Sequence, residues 1–107
     1  ETIFELGQSY LSGGDAKKAI VYFERVYIAY GKFGELNAKA YWERGNALEK
    51  LDLKREALET YSELASRDDL RRFEEAKKAG EKVARLEKIV PPLEPAEAIP
   101  EGEEAEL

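Results

Sequence analysis

The sequence repeats itself after 38 residues, and this repeat constrains the fold more than any single segment does. Residues 19–27 place apolar side chains at positions i, i+1, i+4, i+7 and i+8, which lie on one face of an α-helix. Residues 57–65 have the same spacing. The preceding segments also align, IFELGQSY with YWERGNAL, so that Gly7 falls on Gly45. Such a chain is built from stacked copies of one small unit.

Each copy of the repeat predicts two antiparallel helices joined by a short turn. Gly13 and Gly14 interrupt the apolar pattern of the first copy, and Asp15 after them is a residue type that favours helix N-caps. The second copy is interrupted at the sequence LDL. The pattern Ser66-x-x-Asp69 resembles a capping box and predicts the start of a fifth helix. We therefore expect five helices, over residues 2–12, 15–30, 37–50, 54–66 and 67–90.

Small residues mark the places where the two helices of a pair cross closely. They recur in both copies, as Gly7 and Gly45 in the first helix and as Ala19 and Ala57 in the second. We expect the rings of Phe23 and Tyr61 to fill the space between the pairs. Because one pair cannot bury its apolar side alone, the pairs stack, and the fifth helix is expected to cover the second pair.

These residues resemble the tetratricopeptide repeat, which has a bulky residue, Leu-Gly and Tyr in one helix and Ala and Phe in the next. The matching residues are Ile3, Leu6, Gly7, Tyr10, Ala19 and Phe23 in the first copy, and Tyr41, Gly45, Leu48, Ala57 and Tyr61 in the second. Arg44 stands where the family has Leu, and the period exceeds the usual length of roughly 34 residues. The longer period resembles that of bacterial cell-envelope members of the family. The resemblance implies an all-α solenoid of antiparallel helical hairpins, with about two and a half repeats in a right-handed superhelical stack.

The charge of the chain divides it into two regions. Residues 91–107 contain all four prolines and six glutamates but no basic or aromatic residue, and we expect a disordered acidic tail there. The first 90 residues hold 17 acidic and 17 basic side chains, so the net charge of −6 lies wholly in the tail. We expect repeats over about residues 1–34 and 37–68, followed by the capping helix over about 67–90. Because this folded part has no charge bias, no nucleic-acid partner is predicted.

Several kinds of chemistry lack the residue types that they need. The chain contains no Cys, His or Met, which removes disulfides and the softer metal ligands, and we predict no metal site and no cofactor. Its serines have no His to activate them, and the sequence therefore favours a protein that is not an enzyme. No run approaches the roughly 18 apolar residues that span a bilayer, so direct membrane insertion is not predicted.

The resemblance implies that the first helix of each pair lines a concave groove, which the fifth helix continues. The residues placed there are Phe4, Gln8, Leu11, Trp42, Asn46, Glu49, Lys50, Lys77, Glu81 and Arg85. Phe4 and Trp42 are equivalent across the repeat, and so are Gln8 and Asn46. Aromatic rings with an amide one turn further on suit an extended or helical peptide. We therefore expect a protein–protein interaction module whose partner is a peptide or protein segment.

Two interpretations of this surface stay open. Phe4 and Trp42 either line the groove, or they are core residues or lie under a neighbouring repeat. In the second case the chain is a structural end-stack or a self-association element of a longer repeat protein, and a homo-oligomer stays open as a partner. Some members of the family bind the C-terminal carboxylate of chaperones through a Lys and Asn pair, but Phe4 and Gln8 occupy those places here. The sequence therefore does not support this clamp. It also leaves the compartment open between the cytoplasm and the bacterial periplasm or cell envelope.

Overall fold

A computed structural model describes residues 2–91, which form five α-helices and no strand. The helices are α1 (Ile3–Ser12), α2 (Ala16–Ala29), α3 (Gly34–Lys50), α4 (Lys54–Ser66) and α5 (Glu74–Glu87). Each helix packs on the next one along the chain, and lighter contacts join α1 to α3 and α3 to α5. The predicted all-α repeat fold is therefore confirmed. The prediction of a disordered acidic tail falls on residues that lie outside the described part, apart from Pro91.

None of the helices in the described range combines the length and the apolar character that crossing a bilayer requires.

The 38-residue repeat is visible in the two turns that close the helical pairs. Gly14 and Asp52 occupy the same place in these turns, and both have a positive φ, 94° and 61° respectively. In each turn the next residue donates its backbone N–H to the carbonyl oxygen five residues back, Asp15 to Tyr10 at 2.8 Å and Leu53 to Leu48 at 2.9 Å. The two turns therefore share one backbone conformation, which glycine adopts without strain and aspartate tolerates.

A ring-on-glycine contact holds each pair together. A Cβ atom at Gly7 would lie 2.6 Å from Cε1 of Phe23, and one at Gly45 would overlap the ring of Tyr61. Both rings are completely buried. Each ring thus occupies the space that a side chain on the facing helix would need. The rings pack inside their own pair, whereas the sequence analysis placed them between pairs.

The extra length of the repeat forms one more turn at the start of α3. The sequence predicted that this helix begins at Asn37, but it begins at Gly34. The buried side chain of Asn37 donates from Nδ2 to the carbonyl oxygens of Tyr30, at 2.8 Å, and Phe33, at 3.1 Å. Gly34 faces the ring of Phe73, which a Cβ would approach to 3.1 Å. The added turn is therefore held both by the preceding loop and by the connection before α5.

The predicted start of the fifth helix at residue 67 is wrong, because α5 begins at Glu74. The capping box does not form: the Ser66 hydroxyl donates to the Glu63 carbonyl at 3.3 Å, and the Asp69 carboxylate pairs with the guanidinium of Arg67 at 2.7 and 3.0 Å. Residues 68–72 form turns instead. The helix also ends before Val90, at Glu87.

The helix α5 buries an alanine and leaves its glycine exposed. Ala79 is completely buried, whereas Gly80 is exposed and has no atom within 4 Å of the place of a Cβ. Ala76 and Leu86 are buried as well, and Val83 packs partly buried against the same cluster, so the apolar face of α5 runs through these positions and Ala79.

Tyr27 and Arg44 join the two helical pairs. Tyr27 contacts both apolar clusters of the protein, and its ring stacks on that of Tyr41 with 4.1 Å between the centroids. The guanidinium of Arg44 binds the carboxylate of Glu24 on α2 at 2.8 and 3.0 Å and the hydroxyl of Thr60 on α4. Arg44 therefore links α3, where it lies, to α2 and α4.

We predict opposite effects for alanine at two helical glycines. Gly45→Ala forces the Tyr61 ring to move, and overpacking of this kind costs about 1–3 kcal/mol of unfolding free energy. Gly80→Ala places a methyl group in open space and removes backbone entropy from the unfolded chain, so it should stabilise by about 0.5–1 kcal/mol. Chemical denaturation of the two variants measures both changes. A neutral Gly45→Ala variant would show that the ring is free to move aside.

A second pair of variants tests the buried face of α4. Ala57 is completely buried, and Ala57→Leu should cost about 1–3 kcal/mol because the larger side chain has no space. Glu59 is exposed on the opposite face, and Glu59→Ala should change stability by less than about 0.5 kcal/mol. Equal denaturation midpoints for these two variants would contradict the packing of α4.

Candidate functional site

Two neighbouring cavities open between α1, α3 and α5. The first, here called the Trp42 cavity, has a volume of about 480 Å³ and is lined by Trp42, Lys78, Glu81, Lys82 and Arg85. The second, here called the Phe4 cavity, has about 500 Å³ and is lined by Phe4, Glu5, Gln8, Lys39, Trp42, Glu43, Glu75 and Lys78. Trp42 and Lys78 line both cavities. We refer to the two cavities together as the groove.

The groove contains half of the residues that the sequence placed there. Phe4, Gln8, Trp42, Glu81 and Arg85 line one cavity or both. The other five line neither cavity, and they are Leu11, Asn46, Glu49, Lys50 and Lys77. Leu11 packs partly buried against the apolar cluster of the first pair, whereas Lys50 and Lys77 are exposed.

Sequence reasoning missed Lys78 and Lys82, two lysines one helical turn apart on α5. The sequence analysis placed three residues of this helix in the groove, Lys77, Glu81 and Arg85, and of these Glu81 and Arg85 line it. The helix buries Ala76, Ala79 and Leu86. Lys78 and Lys82 are four residues apart and therefore share one side of the helix.

Trp42 lies at the centre of the groove on a rigid support. Its side chain is half-buried, and its ring packs on that of Tyr61 at a centroid distance of 5.5 Å and an angle of 48°. The ammonium groups of Lys78 and Lys82 each lie 5.7 Å from the centroid of the Trp42 ring. Cations at this distance are attracted by the electrons of an indole ring. The ring is therefore held from below by an aromatic side chain and bordered by two positive charges.

A hydrogen-bond network fastens α5 to α3 below Trp42. The hydroxyl of Tyr61 lies 2.7 Å from Oδ1 of Asn46 and 2.8 Å from Oε1 of Glu49, and its single proton serves one of them at a time. The Glu49 carboxylate also accepts from Lys82 at 2.7 Å and from Arg85 at 2.9 Å. Asn46 and Glu49 therefore form hydrogen bonds within the protein, whereas the sequence analysis predicted that they contact a ligand.

The ionisation of this network follows from its contacts. Burial alone would raise the pKa of Glu49, but the hydrogen bonds from Lys82 and Tyr61, together with the charges of Lys82 and Arg85, lower it below its usual value. Burial and the neighbouring Glu49 carboxylate raise the pKa of Tyr61, so the phenol stays protonated. In this network the Glu49 carboxylate is thus bound by the neutral hydroxyl of Tyr61 and by the cations of Lys82 and Arg85.

The groove differs in charge between its two ends. The Phe4 cavity is lined by three carboxylates, those of Glu5, Glu43 and Glu75, and by two lysines. The Trp42 cavity is lined by three cations and a single carboxylate, that of Glu81. The amide of Gln8 lies at a long 3.5 Å from Glu43, and the ring of Phe4 packs on Phe23 at 5.7 Å. A ligand in the groove would therefore contact acidic side chains at one end and basic side chains at the other, and the rings of Phe4 and Trp42 form its apolar surface.

Within residues 2–91 there is no group of three or more His, Cys, Asp or Glu side chains that could hold a metal ion. The arrangement of rings and flexible charged side chains suits the binding of a polypeptide segment.

Comparison with known proteins gives one match. A family model described as a tetratricopeptide repeat matches residues 1–32, which include α1, the first turn and α2. No curated protein and no solved structure matches the chain significantly.

We predict that Tyr61→Phe weakens the Glu49 network without disturbing the ring-on-glycine contact. Loss of the hydroxyl should cost about 1 kcal/mol of stability at neutral pH and should raise the pKa of Glu49. Because the folded-state pKa of Glu49 lies below its unfolded value, its stabilising contribution is complete above the unfolded value of roughly 4.3 and is lost as the pH falls through the folded value. Denaturation at pH 7 and pH 3 should therefore show a smaller difference between the variant and the wild type at pH 3. An equal difference at both pH values would contradict the network.

Proposed function

Residues 1–32 of this chain form a tetratricopeptide repeat, a module that generally serves as a scaffold for protein–protein interactions, and on this premise we propose that the chain is a non-catalytic interaction module. It binds a peptide or protein segment in the groove between α1, α3 and α5. The observation that carries the proposal is the position of Trp42, which lines both cavities while its ring rests on Tyr61.

The support below Trp42 favours a binding role for this residue. A large aromatic ring that is already held in place loses little conformational freedom when a partner binds. Trp is also among the residue types most enriched at the energetic centres of protein interfaces. The charged side chains of the rim, among them Lys78 and Glu81, are exposed and surround this apolar centre. An apolar centre inside a polar rim is the usual arrangement of an interface.

The repeat relation between Phe4 and Trp42 gives the occupant two apolar contacts. The two residues line the Phe4 cavity together, and each rests on a completely buried ring of its own pair, Phe23 or Tyr61. An extended segment or the apolar face of a helix presents side chains at intervals that suit such a row of contacts. We propose this mode of binding for the partner.

The test is a selection of peptides from a displayed random library against the full chain. We expect Trp42→Ala to weaken the binding of selected peptides by about 30-fold or more, because truncation of an interface anchor costs about 2 kcal/mol. Phe33→Ala serves as the matched control, since Phe33 is an aromatic residue that is 61 % exposed and lines neither cavity of the groove. This variant should bind within about two-fold of the wild type.

Circular dichroism of each variant shows whether the helices persist. Trp42→Ala leaves a space above Tyr61, so Phe4→Ala is measured as a second groove variant that touches the other apolar cluster. Selected peptides that bind both groove variants as tightly as the wild type would contradict the proposal. The structural end-stack would then be the better explanation of the half-buried Trp42 ring.

A further inference from the structure

The acidic segment at residues 92–107 has the chemistry that the Trp42 cavity would recognise. Resting on the proposed function of the groove, we propose that this segment of the chain docks into the Trp42 cavity and competes there with an external partner. Three properties of the described residues support the proposal: the charge of the cavity, its aromatic floor, and the position of α5 directly before the segment.

The charge of the cavity is complementary to that of the segment. Lys78, Lys82 and Arg85 face Glu81 at the rim and Glu49 behind it. Lys82 and Arg85 bind Glu49, but Lys78 pairs with no carboxylate in the described part of the chain and lies only against the Trp42 ring. The segment carries six glutamates and no basic residue. Its carboxylates would therefore find a cation that lacks an acidic partner.

The composition of the segment also suits an aromatic floor. It contains three prolines together with Leu93, Ile99 and Leu107. Proline-rich sequences favour the polyproline II conformation, which loses little entropy on binding and docks into grooves lined by aromatic rings. The Trp42 ring, bordered by lysines, offers an apolar surface for proline or leucine beside charges for glutamate. The Phe4 cavity is less suitable because carboxylates predominate around it.

The segment is long enough to reach the cavity. The three cations lie on α5, and the separation of seven positions between Lys78 and Arg85 corresponds to about 10 Å of helix. The segment begins shortly after this helix, and its 16 residues extend to about 53 Å when fully stretched. A short tether of this kind gives an effective concentration in the millimolar range. Even weak binding would therefore keep the cavity occupied for much of the time.

Docking of the segment would regulate the groove. An external partner binds only the fraction of molecules whose cavity is free, so its apparent affinity falls by that fraction. Conditions that neutralise or screen the glutamates would open the groove. The proposal thus gives the acidic segment a role in tuning the affinity of the module.

The first test compares the full chain with a variant of equal length in which all six glutamates of the segment are replaced by glutamine. Trp42 is the only tryptophan, so quenching of its fluorescence by acrylamide reports how far this ring is covered. We expect the quenching constant to be about two-fold larger in the glutamine variant, since a weak tethered ligand covers the ring about half of the time. Salt should raise the constant of the native chain toward that of the variant. Equal constants at low salt would overturn the proposal.

The second test supplies the segment in trans. A synthetic peptide of residues 92–107 is titrated calorimetrically into the glutamine variant, with and without Lys78→Glu. This substitution should weaken binding by about ten-fold, because it replaces an attraction by a repulsion. Lys77→Glu is the matched control, since it makes the same charge change at an exposed neighbour that lines neither cavity, and it should stay within about two-fold. Equal losses for both variants, or equal binding of a scrambled peptide, would overturn the docking of this segment.

These results separate the proposal from that of the groove itself. In one outcome, library peptides require Trp42 but bind the native chain and the glutamine variant equally well. This result would support the interaction module and overturn the docked segment. Quenching that depends on the glutamates, without any library peptide that needs Trp42, would support the docked segment and contradict an external partner. Library peptides that bind more tightly to the glutamine variant would support both.

Discussion

The contact between the Tyr61 ring and Gly45 is the constraint on which both the packing and the groove depend. Because Gly45 has no side chain, the ring lies directly against α3 and is completely buried. Its hydroxyl thereby reaches Asn46 and Glu49 on the same helix. Glu49 in turn binds two cations of α5. One missing side chain thus determines how closely two helices approach and where the third is fastened.

The two repeats use this contact differently, and the two ends of the groove also differ in charge. The first pair has Phe23 on Gly7, and a phenyl ring has no hydroxyl with which to start a polar network. At that end the groove is formed by Phe4 and a set of carboxylates. The second pair has Tyr61, and the resulting network brings cations beside Trp42. The hydroxyl that Tyr61 has and Phe23 lacks therefore ties Lys82 and Arg85, through Glu49, to the Trp42 end of the groove.

The contacts between the two helical pairs hold the two ends of the groove in one continuous surface. Tyr27 stacks on Tyr41 and contacts both apolar clusters, while Arg44 spans from Glu24 on α2 to Thr60 on α4. A partly buried guanidinium needs partners for its donors, and both partners lie within reach here. The polar link has a defined geometry that an apolar side chain at the position of Arg44 would lack. The link through Arg44 therefore favours one packing arrangement of the first helical pair on the second.

The sequence by itself determined the features that depend on local chemistry. The repeat, the four helices of the two pairs, the Asp15 cap and the turns follow from apolar periodicity and from residues that suit caps and turns. Phe4, Gln8 and Trp42 followed from the repeat together with the family resemblance. Only the tertiary structure decided the start of α5 and which of its lysines borders the groove. Arg67, which pairs with Asp69, also donates to the hydroxyl of Tyr41 on α3 at 3.1 Å, and Leu70 is completely buried, so contacts with distant residues hold this connection outside a helix. The packing of α5 on α3 placed Lys78 in the groove and gave Glu49 its partners, and such contacts between distant residues leave no periodic trace in the chain.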